Sequence, residues 1–537
     1  MDLDTTTYCV QPFAAILALL ILYYFTIRSI RSHNNSGSKK RNIKTKVPEI
    51  PGGLPIIGHL HLLNDKIPYF RTFSAMADKY GSIFALRLGC HPTIMVSSAE
   101  LAKECLTTKD RVFASRPGTA GGRFLGYDNA IFGLAPYGQY WREIRKIATL
   151  ELLSSYRLEK LKHIRDREIY TLVKDLFSFC NCHGNSNKLV SVTISDLIEH
   201  MTFNINVQMI AGKRFSDEAI KEEDSEGWRL RKAIRDATYL SGVFVVADAI
   251  PWLGWFDFQG YVGFMKRTAK ELDSILHRWM DDHMRKRGDD ENGNKSENDF
   301  LDVLISVFEE NDEIYGHKRD IVLKATTLML VLTGSGSTAM TLTWSLSLLL
   351  NHPNAMKAAK EELDTVIGKH KWVQESDIKD LKYLQAIVKE TLRLYPPAPL
   401  TGIREATEDC YLNGYYVSKG TRLFINLWKL HRDPKTWSNP DAFEPERFLN
   451  ACSGIDFRGQ DFEFIPFSSG RRSCAGMTFG LQVVHLTLAR LIQGFDMSRK
   501  SGAEVDMSEG LGVALPKKHA LDIVLKPRLP LELYEGL

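Results

Sequence analysis

The sequence predicts a mainly α-helical protein with small β-sheets, preceded by one N-terminal transmembrane helix. Helical periodicity dominates residues 150–288, and the strongly apolar stretch from Asp320 to Leu350 is long enough for a central buried helix. β-Branched and apolar residues alternate only over short stretches, such as residues 81–97. A further apolar run lies near the N-terminus, at residues 12–27. One large helical domain behind a membrane anchor accounts for these patterns.

The composition of the 537 residues is that of an ordinary globular protein, with 44% hydrophobic and 25% charged residues. The net charge of +4 is small and evenly spread, so we expect no nucleic-acid partner. Eight cysteines do not form a disulfide framework, and Cys180 and Cys182 with His183 lack the second ligand pair of a zinc site. We therefore expect free thiols in a reducing compartment, with the sequons at Asn34 and Asn294 unused.

The run PFAAILALLILYYFTI, from Pro12 to Ile27, predicts a single-pass membrane anchor, which we assign to residues 1–30. The run is slightly shorter than the ~20 residues of a spanning helix, although flanking residues could extend it. Basic residues follow the run instead of preceding it, which argues against a cleaved signal peptide. The same asymmetry places the N-terminus in a lumen and the main body in the cytoplasm.

Residues 31–58 predict a connector between the anchor and the domain. The segment from Ser32 to Lys46 is polar and basic, as is typical of a linker. The following PEIPGGLPIIG, from Pro48 to Gly58, is rich enough in proline and glycine to predict a stiff, extended hinge. The remaining residues, 59–537, form the predicted domain.

Within the domain, residues 81–97 predict a β-hairpin, and the aperiodic segment from Arg111 to Gly133 predicts a long loop. A helix then begins at YGQYWREIR, where Trp141 and Arg145, four residues apart, share one face. Alone, this pair could equally be a surface tryptophan with a stacked arginine. Further on, the apolar, Trp-rich interval 244–258 predicts a segment that dips into lipid or caps an apolar cavity.

The predicted central helix is interrupted by TGSGST, from Thr333 to Thr338. Two glycines and four hydroxyl side chains in mid-helix cost about 2 kcal/mol of helix propensity and loosen the local hydrogen bonding. No strand precedes the Gly-Ser-Gly sequence, so it is not a nucleotide-binding loop. The segment predicts a local break in a buried helix.

The stretch FSSGRRSCAG, from Phe467 to Gly476, carries the strongest chemical signal. It places Cys474 two residues after Arg472, in a cationic, glycine-loose loop where a thiol can stay deprotonated. A thiolate is a ligand that iron accepts, and glycines let the backbone approach a flat cofactor. A lone cysteine is more often a small buried apolar residue. The spacing FxxGxRxCxG instead favours a cysteine that binds a metal.

Charged motifs lie on both sides of residue 404. Glu390 and Arg393 are three residues apart on a predicted helix and can pair, although such pairs are usually solvated. FEPERF, at residues 443–448, offers Arg447 as a second partner, and Arg404 lies between the two motifs. The closing segment 510–529 predicts a strand pair whose tip reaches a pocket.

Together these motifs resemble those of the cytochrome P-450 family of haem-thiolate monooxygenases. The haem loop, ExxR, PERF, WxxxR and the Pro/Gly hinge occur in the family's order, and the resemblance runs from Pro48 to the end of the chain. It implies the cytochrome P-450 fold, a haem b cofactor (iron protoporphyrin IX) and Cys474 as the axial ligand of the iron. The reaction that it implies is hydroxylation with dioxygen.

The resemblance also assigns roles to the other motif residues. Glu390, Arg393 and Arg447 match the family's structural triad, and Ser337 and Thr338 match its catalytic alcohols. The implied cofactor-binding residues are Trp141, Arg145, Arg404 and Arg472, as partners of the haem propionates, with Phe467, Gly470 and Gly476 in the haem loop.

The sequence departs from the family at the oxygen-activation groove, usually written A-G-x-D/E-T-T. Thr333 stands at the small residue, and Gly336 replaces the acid that is thought to gate proton entry. We expect proton delivery to run through ordered water and Ser337. The departure also permits a haem-thiolate enzyme that catalyses a rearrangement, dehydration or ring formation, and a non-catalytic haem-binding scaffold is a further alternative.

The motifs resemble the plant microsomal class, in the branch that hydroxylates flavonoids, alkaloids and terpenoids. This implies an endoplasmic reticulum protein with its catalytic domain facing the cytosol, in contact with membrane lipid. NADPH–cytochrome P-450 reductase is the implied electron donor, with Arg471 and Lys146 as docking contacts. We expect a hydrophobic small-molecule substrate, a terpenoid or a flavonoid, with an alkaloid as the alternative. The expected pocket segments are 111–133, 244–258, 328–337, 398–402 and 511–514.

Overall fold

The computed structural model describes residues 45–63, 66–183, 191–253, 257, 259–289, 299–500 and 502–536. The predicted anchor, most of the predicted linker and the sequons at Asn34 and Asn294 lie outside the described residues. So do parts of the Trp-rich interval, at residues 254–256 and 258. The described chain has the predicted fold class, mainly α with small β-sheets.

Helices make up most of the described chain, and we number the α-helices in chain order. They are α1 (Tyr69–Tyr80), α2 (Ala99–Leu106), α3 (Ala120–Phe124), α4 (Gln139–Ile147), α5 (Ser155–Lys160), α6 (Lys162–His183), α7 (Ile194–Ala211), α8 (Asp217–Lys221), α9 (Glu226–Leu240), α10 (Val246–Ala249), α11 (Tyr261–Asp289), α12 (Phe300–Val307), α13 (Arg319–Gly334), α14 (Gly336–Asn351), α15 (Pro353–Val366), α16 (Lys382–Leu394), α17 (Leu427–Leu430), α18 (Met477–Gly494) and α19 (Leu531–Glu535).

The helices α13 and α14 form one long apolar rod at the centre of the main hydrophobic core. Helix α7 packs against both, and α16 and α18 pack against α14. Among the described residues, the rod is the one helix long and apolar enough to cross a membrane. More than half of its most apolar window is buried inside the protein, as expected of a core helix.

Short strands form four small sheets at the edge of the helical body. The strands are β1 (Ile83–Leu88), β2 (His91–Val96), β3 (Ser191–Thr193), β4 (Glu313–Ile314), β5 (His317–Lys318), β6 (Arg404–Glu405), β7 (Cys410–Leu412), β8 (Tyr415–Val417), β9 (Arg422–Ile425), β10 (Phe495–Arg499) and β11 (Asp522–Pro527). The predicted hairpin of β1 and β2 is antiparallel, with Ile83 opposite Val96, and β9 extends its sheet by a parallel pairing with β2. This sheet packs its own hydrophobic cluster.

Two expectations about local structure were wrong. The segment 111–133 is not all loop, because it contains the short helix α3, which Thr119 caps through a side-chain hydrogen bond to the amide of Gly122. The segment 510–516 does not pair with the chain that follows it. Strand β11 pairs instead with β10 and β3, and the closing loop keeps a single bridge between Glu509 and Lys517.

Candidate active site

The loop that carries Cys474 is held between two rigid elements. The amide of Cys474 donates to the carbonyl of Phe467 at 2.9 Å, and α18 begins three residues later. Gly470 has a φ of +69°, and a Cβ at this position would lie 2.6 Å from the carbonyl oxygen of Leu106. Glycine is therefore needed at 470 for both conformation and space.

Cys474 lines an internal cavity of about 300 Å³. Burial raises the pKa of the Cys474 thiol, while a hydrogen bond from the backbone amide of Gly476 and the charge of Arg145 act in the opposite direction. A metal ion bound to the sulfur would overcome the burial effect, because a coordinating thiol is deprotonated outright. The Cys474 environment suits a metal-bound thiolate.

The cavity gathers most of the predicted site residues. The break between α13 and α14 bounds it together with the Cys474 loop. Of the predicted pocket segments, 111–133 and 328–337 contribute, whereas residues 398–402 and 511–514 and the described part of 244–258 do not line this cavity. The predicted site residues that line it are Trp141, Arg145, Ser337, Thr338, Phe467, Arg472, Cys474 and Gly476.

Four guanidinium groups gather near this cavity with little negative charge to balance them. Burial and the charges of the other arginines lower the pKa of Arg116 to about 9 and that of Arg472 to about 8. Burial also lowers the pKa of Arg145 and Arg404, and the Nε of Arg404 is buried without a hydrogen-bond partner. A buried cluster of this kind requires anions. Haem b carries two carboxylates and a flat apolar ring, and the residues present fit it.

Arg116 lies in the segment 111–133, which the sequence analysis expected to line the pocket, but the sequence analysis gave this arginine no role of its own. It lines the cavity, and its guanidinium donates to the backbone carbonyls of Gly402, Ile403 and Gly133. A Cβ at Gly402 would lie 2.9 Å from the Arg116 guanidinium. In the sequence Arg116 precedes a proline in an aperiodic segment, a pattern that indicates extended backbone and nothing about function.

Arg472 ties the Cys474 loop to the segment that follows α2. Its guanidinium donates to the carbonyls of Ala114 at 2.7 Å, Phe132 at 3.1 Å and Ala135 at 2.6 Å. It also lies 4.4 Å from the ring centroid of Trp141. These contacts hold the wall of the cavity in place. The charge of the Arg472 guanidinium also lies at the surface of the cavity.

Asp110 is a residue that the sequence analysis missed. This buried carboxylate accepts hydrogen bonds from the backbone amide of Arg471 at 3.0 Å and from its guanidinium at 2.9 Å. It also lies 3.5 Å from Nη1 of Arg404. Asp110 therefore connects α2, β6 and the Cys474 loop.

The break in the central helix is confined to Ser335, with hydroxyl groups on both sides of it. Ser337 donates to the carbonyl of Thr333 and Thr338 to that of Gly334, both at 3.2 Å. Gly336 presents no side chain, and a Cβ there would meet only Met340, at 3.9 Å. The alcohols lie at the cavity without a neighbouring acid in this segment.

Glu390, Arg393 and Arg447 form a buried ion cluster away from the cavity. Arg393 binds Glu390 through two bonds, at 2.7 and 2.8 Å, and Arg447 Nε donates to the same carboxylate at 3.0 Å. Both arginines also donate to backbone carbonyls of residues 438–442. The cluster connects α16 to the PERF turn.

A cysteine in a cationic cavity, facing a hydroxyl-rich helix break, fits the class of haem-thiolate proteins. The family model described as cytochrome P450 matches residues 48–522. The chain belongs to the cytochrome P450 family, and it is a monooxygenase whose cofactor is haem b. The alternative of a non-catalytic scaffold is therefore set aside.

Several plant enzymes are similar to this chain along nearly its whole length. Dimethylnonatriene synthase of Arabidopsis thaliana is 48% identical over 97% of both chains. Nicotine N-demethylase of Nicotiana tomentosiformis is 45% identical over 98% of this chain and 99% of its own length. Flavonoid-6-hydroxylase of Mentha piperita is 42% identical over 97% and 98%.

A solved zebrafish cytochrome P450 with progesterone has the same fold. Its TM-score is 0.71 at 24% identity, over 86% of this chain and 100% of its own.

Proposed function

We propose that this monooxygenase hydroxylates a hydrophobic plant specialised metabolite, a terpenoid first and a flavonoid second. The observation that carries the proposal is the Cys474 cavity, whose lining surface is mostly apolar and includes Phe132, Met329 and Leu330 beside the arginines and hydroxyls described above. A relative named for a triene product supports the terpenoid, and a relative named as a flavonoid hydroxylase supports the second choice. An alkaloid substrate, by likeness to the nicotine demethylases, is the alternative.

Haem b, when bound, supplies the activation of dioxygen and the insertion of one oxygen atom into the substrate. Cys474 would hold the haem iron through its thiolate, which would supply electron density to the metal. Trp141 and the arginines at 145, 404 and 472 are the proposed partners of the two propionates, and Arg116 joins them on the strength of its position. Phe467, Gly470 and Gly476 are the proposed loop residues around the cofactor: Phe467 accepts from the Cys474 amide, Gly470 provides the turn, and the Gly476 amide donates to the sulfur.

Ser337 is the proposed proton donor of the groove, with Thr338 beside it. Its hydroxyl donates to the Thr333 carbonyl and can pass that proton to a water in the cavity, taking another from a second water. Gly336 leaves no carboxylate to share this task. Replacing Ser337 with alanine should raise the release of peroxide per NADPH consumed, and an unchanged ratio would refute the role.

The absence of an acid at Gly336 also permits a second candidate, a haem-thiolate enzyme that rearranges or dehydrates its substrate, reactions that are redox-neutral and consume no dioxygen. The two candidates differ in their needs. Hydroxylation requires dioxygen and NADPH for every turnover, and the second candidate does not. Turnover under argon without NADPH would identify it.

The electrons are proposed to come from NADPH–cytochrome P450 reductase. Arg471 and Lys146 lie at the surface near the Cys474 loop, on the face proposed for docking. Charges at such a face mainly speed association, and salt screens them. Reduction of the enzyme should slow as ionic strength rises.

We further propose that the domain faces the cytosol at the endoplasmic reticulum membrane, held by the N-terminal anchor and touching lipid. Large apolar side chains are exposed in segments that meet one another. The backbone amide of Gly89 donates to the carbonyl of Ile57, and the amide of Cys90 donates to the carbonyl of Ala249. Gly242 lies against Val513. The exposed side chains of this surface, the apolar rim below, are Leu54, Ile56, Trp252, Leu511 and Val513.

Yeast microsomes that carry this chain and a plant reductase provide the deciding test. Terpenoids, flavonoids and alkaloids are supplied in parallel, and products are measured with and without NADPH. Cys474→Ala is the matched control, because it should remove both the product and the thiolate-type Soret band of the reduced carbon monoxide complex. Oxidation of an alkaloid alone would overturn the terpenoid and flavonoid assignment.

A further inference from the structure

The break in the central helix is bonded from a neighbouring helix by Asn206, a residue without a predicted role. Asn206 lies on α7, is 4% exposed, and lines the same cavity as Cys474. Its Nδ2 donates to the carbonyls of Leu330 and Val331, each at 3.1 Å. In a regular helix the amide of Ser335 would be the donor to Val331. A side chain inserted into this ladder is a known cause of a helix break.

Gly334 and Gly336, the two glycines at the break, differ in the space around them. A Cβ at Gly334 would lie 2.1 Å from Oδ1 of Asn206, which is closer than any carbon and oxygen can approach. At Gly336 nothing lies closer than Met340, at 3.9 Å. Only Gly334 is therefore required by the approach of Asn206.

The orientation of the alcohols depends on this contact. Thr333 and Gly334 immediately precede the break, and their carbonyls accept from the hydroxyls of Ser337 and Thr338, which follow it. If the helix closed through Ser335, the carbonyls and hydroxyls would move relative to one another. Asn206 donates to the carbonyls of Leu330 and Val331, which the closed helix would need as acceptors one turn before the break.

We propose that Asn206 is a positioning residue that keeps the central helix broken at Ser335, and so orients Ser337 toward the cavity. The segment 333–338 contains no acidic side chain that could orient Ser337. Asn206 does so from the neighbouring helix α7. This inference rests on the proposed role of Ser337 in proton delivery.

Hydrogen exchange of the full-length holoenzyme tests the structural part without any turnover. Asn206→Leu keeps the size of the side chain and removes the donor. Because Ser335 has a near-helical conformation, with φ −95° and ψ −51°, we expect the helix to close and the exchange of amides 335–337 to slow about tenfold. Unchanged or faster exchange would overturn the proposal.

A pair of alanine variants separates this contact from helix propensity. Gly334→Ala displaces Asn206, and Gly336→Ala adds the same propensity but leaves Asn206 in place. We expect Gly334→Ala to slow exchange well beyond the effect of Gly336→Ala. Equal effects of the two variants would contradict a role for Asn206.

Turnover tests the positioning part. Asn206→Leu should raise peroxide per product about threefold or more while keeping the thiolate-type carbon monoxide spectrum. The control is Asn204→Leu, because Asn204 is also buried on α7 but its side chain bonds to Phe215 and His200, away from the break. This variant should leave the ratio unchanged. Slower exchange with an unchanged ratio would overturn positioning. Failure to find a substrate would count against the proposed function and leave the exchange result intact.

Discussion

The balance of charge beside the cavity depends on single side chains. Asp110 is a buried carboxylate near Arg404 and Arg471. Burial lowers the pKa of Arg404, whereas the hydrogen bond to Asp110 raises the pKa of Arg471. Removing one partner of a buried ion pair costs more than the pair contributes, since the remaining charge is left uncompensated. Asp110 is therefore important for stability, although it belongs to no sequence motif.

We expect Asp110→Asn to lower the free energy of unfolding by about 3 kcal/mol, since the change leaves Arg404 without its carboxylate. The measurement is the shift in the midpoint of denaturant unfolding, with the haem content per polypeptide measured alongside. Glu159→Gln is the matched control, because Glu159 pairs with Lys162 at the surface, where ion pairs contribute little. A loss no larger than that of the control would contradict this account of Asp110.

A second titratable residue, His283, lies outside the cavity at the end of α11. Its Nε2 lies 2.9 Å from Asp299, and its Nδ1 lies 2.7 Å from the carbonyl of Trp279. Burial lowers the pKa of His283, but the hydrogen bond and charge of Asp299, with Trp279 and Asp302, raise it overall. The protonated form is therefore favoured by folding.

A raised folded pKa gives stability that is fully present below the unfolded pKa of about 6.5 and is lost as pH rises through the folded value. The melting temperature of the wild type should therefore fall, relative to that of His283→Gln, as pH increases from about 6 upward. We expect a difference of about 2 °C across this range. Scans of both proteins at a series of pH values provide the measurement, and parallel curves would contradict the prediction.

At the scale of elements, sequence reasoning succeeded where a pattern is local. The hairpin of β1 and β2 and the central helix each have their own periodicity, and the structure contains both. The sheet of β10, β11 and β3 was missed because Asp522 pairs with Thr193, far away in the sequence. Helix α3 was missed because five residues are too few for a helical period.

The residues of the candidate site also fall into two groups, those that a local sequence pattern predicts and those that it does not. Motif residues such as Trp141 and Cys474 are spaced in a frame that sequence alone displays, and the structure brings them to one cavity. Asp110, Arg116 and Asn206 contact that site through partners more than 100 residues away. No local pattern specifies such contacts, and only the folded chain shows them.

The cluster of Glu390, Arg393 and Arg447 shows how two distant elements are joined. Glu390 and Arg393 on α16 are each 0% exposed, and Arg447 approaches from the PERF turn. The sequence allowed a solvated pair, but full burial makes the carboxylate the shared counter-ion of two guanidinium groups. Its loss affects the whole junction.

We expect Glu390→Gln to destabilise the protein by about 3–5 kcal/mol, since the buried Arg393 would lose its carboxylate and Arg447 would keep only Glu444, at the edge of the cluster. The consequence should be a strong loss of folded, haem-containing protein, measured as carbon monoxide-binding enzyme per polypeptide in microsomes. Glu361→Gln is the control, because Glu361 pairs with Lys357 in an exposed position. Equal yields of the two variants would refute the argument.

At the scale of the whole molecule, the N-terminal hinge and the apolar rim lie together. The backbone amide of Ile50 donates to Ala85, and Gly58 bridges to Leu88, so the hinge is fastened to the first sheet. The turn of that sheet contacts residue 249, three positions before Trp252. The chain from the predicted anchor therefore enters the domain beside its exposed apolar side chains, an arrangement suited to a membrane surface.

This arrangement predicts that the domain binds membranes even without its anchor. A chain that begins at residue 45 should float with vesicles of neutral phospholipid, since exposed apolar side chains gain free energy by entering the interface. Trp252→Asp in this shortened chain should reduce the bound fraction about tenfold, because it removes the largest exposed apolar group of the rim and adds a charge. The matched control is Tyr156→Asp, since Tyr156 is an aromatic residue even more exposed than Trp252 but lies on α5, in none of the segments that form the rim. Equal losses from the two variants would mean that binding is nonspecific and that the rim does not face the membrane.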